Sequence, residues 1–227
     1  MNPFDLSNQR VLLTHADRFM GPVLNDTLSN LGAQVHASDD DLLAEGAAAA
    51  LVEQAGRVDV LVANLAVPAP QTLAVDVTAG EWRYVFSTMV DPLQRLCAAV
   101  LPQMIERKSG KVLLMGSAAA LRGINKSSSY CAARGAQISY IQALGIEMAR
   151  HHVQVNAIAQ NFVDNETYFP EAVQQNPAFQ QRLKAEVPLG RLVGKTEDAM
   201  LAAYLCSSAA DCYVGQIFPM CGGWVHR

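Results

Sequence analysis

KVLLM at 111–115, SSSYCAARGAQISYIQALGIEMARH at 127–151 and VQVNAI at 153–158 decide the fold of this 227-residue chain. The two outer stretches are short apolar runs of the kind a strand buried on both faces requires. The middle one repeats its apolar residues at three- and four-residue steps, the period of a helix. Strand, helix, strand in that order is a parallel crossover unit.

The same alternation extends outward in both directions. Apolar runs at 10–14, 34–37, 58–63 and 216–219 read as further strands, and segments 20–31, 42–54, 79–108 and 196–207 as helices rich in Ala, Leu, Met and Glu. Such alternation predicts an α/β fold, a doubly wound parallel sheet of Rossmann type, as one domain over residues 1–227. Ligands of that architecture lie outside the carboxyl ends of the strands. The stretch 160–188 breaks the pattern with Phe162, Tyr168, Phe169, Phe179, Pro170 and Pro177, and follows a strand end, where an inserted lid would cover a crevice.

Composition narrows the function. At 51% hydrophobic, the chain can bury a full core, and 17 basic against 21 acidic residues provide no electrostatic footprint for nucleic acid or an anionic membrane. No apolar run reaches the ~18 residues of a spanning helix, and residues 1–10 lack a basic segment followed by an apolar one. A soluble, cytoplasmic protein acting on a small molecule is expected. Cys97, Cys131, Cys206, Cys212 and Cys221 are an odd set without CxxC spacing, so free thiols are expected. His15, His36 and His226 show no ligand spacing, so no metal is expected.

Candidate chemistry centres on three residues. Tyr130 and Arg134, four apart on a helix, share a face, and Ser117 ends the 111–115 strand at the carboxyl edge where that face arrives. A free phenol is a poor base at neutral pH, and a guanidinium held beside it favours the ionised form. Arg134 stays protonated and can only tune and orient. Tyr130 is therefore the candidate proton acceptor and Ser117 the donor that holds substrate.

The blocks 60–64 (VLVAN), Gly116-Ser117, Tyr130 through Arg134, 155–158 (VNAI) and 215–224 resemble the short-chain dehydrogenase/reductase superfamily. Arginine at position 134, where a dehydrogenase keeps lysine, resembles the halohydrin dehalogenases within it. That resemblance implies conversion of vicinal haloalcohols to epoxides with halide release, the reverse ring opening by small anions, no cofactor, and a homotetramer. A dehydrogenase would carry Thr-Gly-x-x-x-Gly-x-Gly where this chain has THADRFMG at 14–21, so only Gly21 remains and Phe19 brings a ring where a dinucleotide needs open backbone. The resemblance makes Phe19 part of a halide pocket completed by Gln160, Asn161, Phe162 and Val163, with Phe169 from the lid. Ring edges and N–H groups suit a weakly hydrated anion.

Met89 stands near the position where many dehydrogenases place a proton-relay asparagine, and its apolar side chain would cut such a relay. Asp39, Asp40 and Asp41 read as carboxylates at a helix N-terminus. His151 and His152, ending a long helix, read as dipole partners. Two other classes stay open: an NAD(P)-dependent oxidoreductase with a degenerate loop, and a non-catalytic sensor with this fold.

Overall fold

Strands β1 (Arg10–Thr14), β2 (Gln34–Ser38), β3 (Val60–Ala63), β4 (Gly110–Ser117), β5 (Val153–Gln160) and β6 (Ile217–Met220) form one sheet in the order β2-β1-β3-β4-β5-β6. Every pairing is parallel. The computed structural model describes residues 4–225; Met1, Asn2, Pro3, His226 and Arg227 lie outside the described residues. All residues of β3 and β4 are buried, which is why they read as unbroken apolar runs rather than alternating ones. The strand order reverses between β1 and β3, opening a crevice at their carboxyl ends.

Helices cover both faces. On one side α2 (Ala47–Ala55), α4 (Asp91–Arg107) and α6 (Ser128–Met148) pack Leu51, Leu96, Val100, Ile141 and Leu144 onto Leu12, Leu61, Val112 and Val155. On the other, α1 (Gly21–Asn30) and α9 (Lys195–Cys206) pack Leu24, Leu28, Ala199 and Ala202 onto Leu13, Val62, Leu113 and Ile158. Among the described residues no helix is long and apolar enough to cross a membrane.

Three elements differ from the sequence expectation. The helix expected over 79–108 is two, α3 (Ala79–Met89) and α4, because Pro92 lies in the first turn of the second and suits a helix start. The 160–188 lid carries short helices α7 (Glu171–Gln174) and α8 (Pro177–Glu186), the latter capped by Asn176, whose side chain accepts the Ala178 N–H at 2.9 Å. Asp39–Asp41 do not begin a helix, since α2 starts only at Ala47; Asp40 instead accepts from the Ser38 hydroxyl, and Asp41 from the Leu43 N–H. A further short helix, α5 (Ala119–Arg122), follows β4. His151 ends a 3-10 turn after α6, and His152 takes a left-handed conformation beyond it.

Gly21 fixes the entry to α1. A Cβ built there would stand 2.3 Å from the His15 carbonyl oxygen and 2.6 Å from Ala16 backbone atoms, none of which is a flexible side-chain end. Gly21→Ala will therefore lower stability by about 1–3 kcal/mol. A drop in thermal midpoint checks this; an unchanged midpoint would show that the loop yields freely.

Candidate active site

Ser117, Tyr130, Arg134, Phe19, Gln160, Asn161, Phe162, Val163 and Phe169, far apart in sequence, all line one cavity of about 190 Å³ at the carboxyl edge of the sheet. Parallel pairing sets Ser117 directly beside Gln160 at the ends of β4 and β5. Helix α6 then passes across that edge with Tyr130 and Arg134 on its inner face, 4% exposed each.

The phenol and guanidinium are in direct contact. Arg134 Nε donates to Tyr130 Oη at 3.0 Å. One terminal nitrogen is spent on the scaffold, donating to Leu65 O at 3.0 Å, Met115 O at 3.3 Å and Gln137 Oε1 at 2.9 Å. Among the described residues no carboxylate pairs with Arg134. Ser117 Oγ accepts the Ala119 N–H at 3.2 Å, which leaves its own proton for a ligand.

Gln137 is a residue the sequence reading missed. Fully buried, it bonds Arg134 through Oε1 and donates through Nε2 to Met89 O at 2.7 Å. The Met89 carbonyl is thus taken, while the Met89 side chain packs with Tyr130 and Val85. Its spacing, three residues after Arg134 on the same helix, was the available signal.

The loop after β1 keeps the backbone of a glycine-rich turn with only the last of its glycines, Gly21. His15 and Phe19 both hold positive φ, 46° and 52°. Asn64 Nδ2 pins the turn by donating to His15 O at 2.9 Å and Arg18 O at 3.1 Å, and the Asn64 N–H donates to Thr14 Oγ1 at 3.0 Å. Left-handed backbone at a bulky residue costs about 1–2 kcal/mol, so this anchoring is what holds the Phe19 ring over the crevice. Burial lowers the His15 pKa, and its Nδ1 has no hydrogen-bond partner.

Across the crevice the ring of Tyr168, another residue not singled out for the site, lies 5.8 Å from that of Phe19, and its hydroxyl donates to Val67 O at 3.0 Å. Burial pushes its ionisation well above that of a free phenol, so it stays a neutral donor. Phe162 stacks on Phe169 at 5.8 Å and meets Trp224 edge-on at 6.3 Å.

The 160–163 loop offers fewer N–H donors than its sequence suggests. The Asn161 N–H donates to Met220 O at 3.1 Å and the Phe162 N–H to Asn161 Oδ1 at 2.9 Å. Phe162 has φ of 52°, a left-handed residue of the kind that turns successive N–H groups toward one concavity.

A nicotinamide dinucleotide, which the fold class implies, does not fit these residues. The rings of Phe19 and Tyr168, 5.8 Å apart, line the cavity with Ser117 and Tyr130 and fill its wall with bulk, and the Asp17 N–H, in the loop that would cradle the pyrophosphate, donates instead to Asp39 Oδ1 at 2.8 Å. Asp39 stands where an acid would bind a ribose hydroxyl, but it is engaged with the loop itself.

Residues 8–225 match a family model described as enoyl-(acyl carrier protein) reductase. The chain is 30% identical over 195 residues to a 3-oxoacyl-[acyl-carrier-protein] reductase of Chlamydia muridarum, covering 84% of this chain and 75% of that protein. It is 28% identical to the Escherichia coli enzyme of the same name, covering 93% and 95%. A solved structure titled "Dehalogenation enzyme" superposes with a TM-score of 0.90 at 31% identity, covering 97% of this chain and all of that one. The chain belongs to that reductase family, and with it to the short-chain dehydrogenase/reductase superfamily.

Proposed function

We propose that this protein is a halohydrin dehalogenase, converting vicinal haloalcohols to epoxides without a cofactor and opening epoxides with small anions in reverse. The observation that carries the reading is the buried Arg134–Tyr130 contact, in which Arg134 Nε donates to the phenol oxygen at 3.0 Å in the lining of the cavity. The misfit of a dinucleotide and the likeness to a structure titled as a dehalogenation enzyme support it.

Ser117 and Tyr130 hold the substrate hydroxyl, and Tyr130 removes its proton. The resulting alkoxide oxygen forms a bond to the neighbouring carbon as the carbon–halogen bond breaks, its electron pair leaving with the halide. The acceptor is the phenolate form of Tyr130, which becomes a neutral phenol as the O–H bond of the substrate breaks; the hydrogen bond from Arg134 is charge-assisted throughout and is strongest while that oxygen is an anion. Nucleophile and leaving group share one molecule, so holding them anti supplies much of the rate. The departing halide enters the pocket of Phe19, Gln160, Asn161, Phe162, Val163 and Phe169. A cavity of about 190 Å³ matches compact substrates, since one of roughly 150 Å³ holds benzene.

Purified protein incubated with a simple vicinal bromoalcohol and no nicotinamide will release bromide and epoxide in equal amounts. Reduction of a ketone with NADH or NADPH, and no bromide release, would overturn the reading in favour of the reductase activity that the names of the sequence relatives suggest. Phe19→Gly probes the pocket wall. Bromide will inhibit the unaltered enzyme competitively against haloalcohol, and the variant will need roughly 2–10-fold more of it, the worth of one aromatic contact. Neither protein will bind NADH saturably; micromolar binding by the unaltered chain would contradict the assignment.

A further inference from the structure

Asp198 lies in the first turn of α9 and is fully buried. Its Oδ2 accepts from Gln160 Nε2 at 2.6 Å, while Oδ1 is buried with no partner. Gln160 ends β5 beside Ser117 and lines the cavity. We propose that Asp198 is a positioning residue for the anion pocket: it acts through Gln160, and whether it carries a proton decides which end of the Gln160 carboxamide faces the cavity. This rests on the dehalogenase reading of that pocket.

The chemistry follows from the donor inventory. Ionised Asp198 only accepts, so it takes the Gln160 amide nitrogen and turns Oε1 toward the cavity, where a carbonyl dipole repels halide. Protonated Asp198 donates its hydroxyl to Oε1, and the amide turns its N–H groups to the cavity as anion donors. Halide binding and proton binding at Asp198 then favour each other, as linkage requires.

The surroundings bring the exchange between the two forms to near neutral pH. Burial pushes Asp198 up to about 7, and the Gln160 hydrogen bond only partly opposes it. The charged groups of adjoining elements are engaged or exposed. On α9 itself, Glu197 is held by Arg191 at 2.7 Å, and Lys195 is exposed. On α1, Asp26 faces solvent; on β4, Lys111 is bound to Asp211 at 2.6 Å at the opposite end of the strand. In the loop after β5, Asp164 accepts from Gln174, and in that after β1, Arg18 pairs with Asp17.

The test is bromide titration from pH 5.5 to 8.5, read by tryptophan emission, in the full chain carrying Tyr130→Phe so that the readout is binding without turnover. Affinity will weaken above pH 7, approaching about tenfold per pH unit as one linked proton requires. Adding Asp198→Asn, which supplies an N–H donor that no longer titrates, will flatten the profile. Adding Gln160→Leu instead will give weak binding at every pH. The thermal midpoint supplies a second readout that needs only the native aspartate: a carboxyl ionising later in the folded than in the unfolded chain loses stability as pH rises from about 4 through 7, so the midpoint will fall over that window and Asp198→Asn will lessen the fall. Equal bromide slopes with and without Asp198→Asn, or a slope that survives Gln160→Leu, would overturn the proposal alone. Absence of saturable bromide binding at pH 5.5, together with no turnover of a bromoalcohol by the unaltered chain, would overturn the dehalogenase reading and the proposal with it.

Discussion

Tyr130→Phe will leave the fold intact and lower bromide release from a bromoalcohol by roughly 10²–10⁴-fold, the range that removal of a general base produces. The substitution deletes one oxygen and little volume, and the ring keeps its packing against Val85, Met89 and Ala133. What disappears is the acceptor that Arg134 Nε holds at 3.0 Å. The guanidinium keeps its bonds to Leu65 O, Met115 O and Gln137, so the helix face stays where it is. Steady-state release of bromide checks the loss, and a thermal midpoint close to the parent's separates lost chemistry from lost structure. Retained wild-type turnover would remove Tyr130 from the mechanism. Ser117→Ala will also impair turnover severely, through lost positioning of the hydroxyl.

Arg134→Lys will cost both activity and stability, although the charge is kept. The present side chain bonds the phenol through Nε while a terminal nitrogen reaches three other oxygens on two strand ends and its own helix. A single ammonium on a flexible stem cannot span both, so the Gln137 Oε1 or the strand-end carbonyls lose their donor. Each buried acceptor left unmet costs about 1–3 kcal/mol. A turnover loss of roughly 10²-fold or more with a clear fall in thermal midpoint is expected. The variant will still not oxidise alcohols with NAD or NADP, because Phe19 and Tyr168 still wall the cavity and the loop after β1 still lacks two of its glycines. Turnover near that of the parent would mean that charge alone, and not the planar fork, serves Tyr130.

The central strands were legible because burial on both faces forces continuous apolar runs, and β4 and β5 extend the expected stretches only at their ends. The lid helices were not, because their stability comes from Phe169 and Phe179 meeting each other and from the Asn176 cap rather than from an amphipathic repeat. Three consecutive acids at Asp39–Asp41 mimic a helix start, yet Asp39 accepts the Asp17 N–H of the loop after β1, and Asp40 and Asp41 take part in local turns with Ser38 and Leu43. In the site, Tyr130 and Arg134 could be paired from their spacing alone. Leu65 O and Met115 O could not be foreseen as Arg134 partners, since backbone carbonyls have no sequence signature. Asp198 was equally hidden: beside Thr196 and Glu197 it reads as one more first-turn acid, and only the docking of α9 against the sheet shows it to be sealed from water.

The all-parallel sheet has a consequence for how this molecule is made. Every strand pair joins segments separated by a crossover, as in Val11 with Val60 or Ser117 with Gln160, so no ladder can close before distant parts of the chain have met. The cavity draws on the turns after β1, β3, β4 and β5 and on α6 together. Helical signal therefore precedes a competent pocket during refolding, and a chain arrested before β5 docks would carry Tyr130 and Arg134 already on their helix but no floor beneath them.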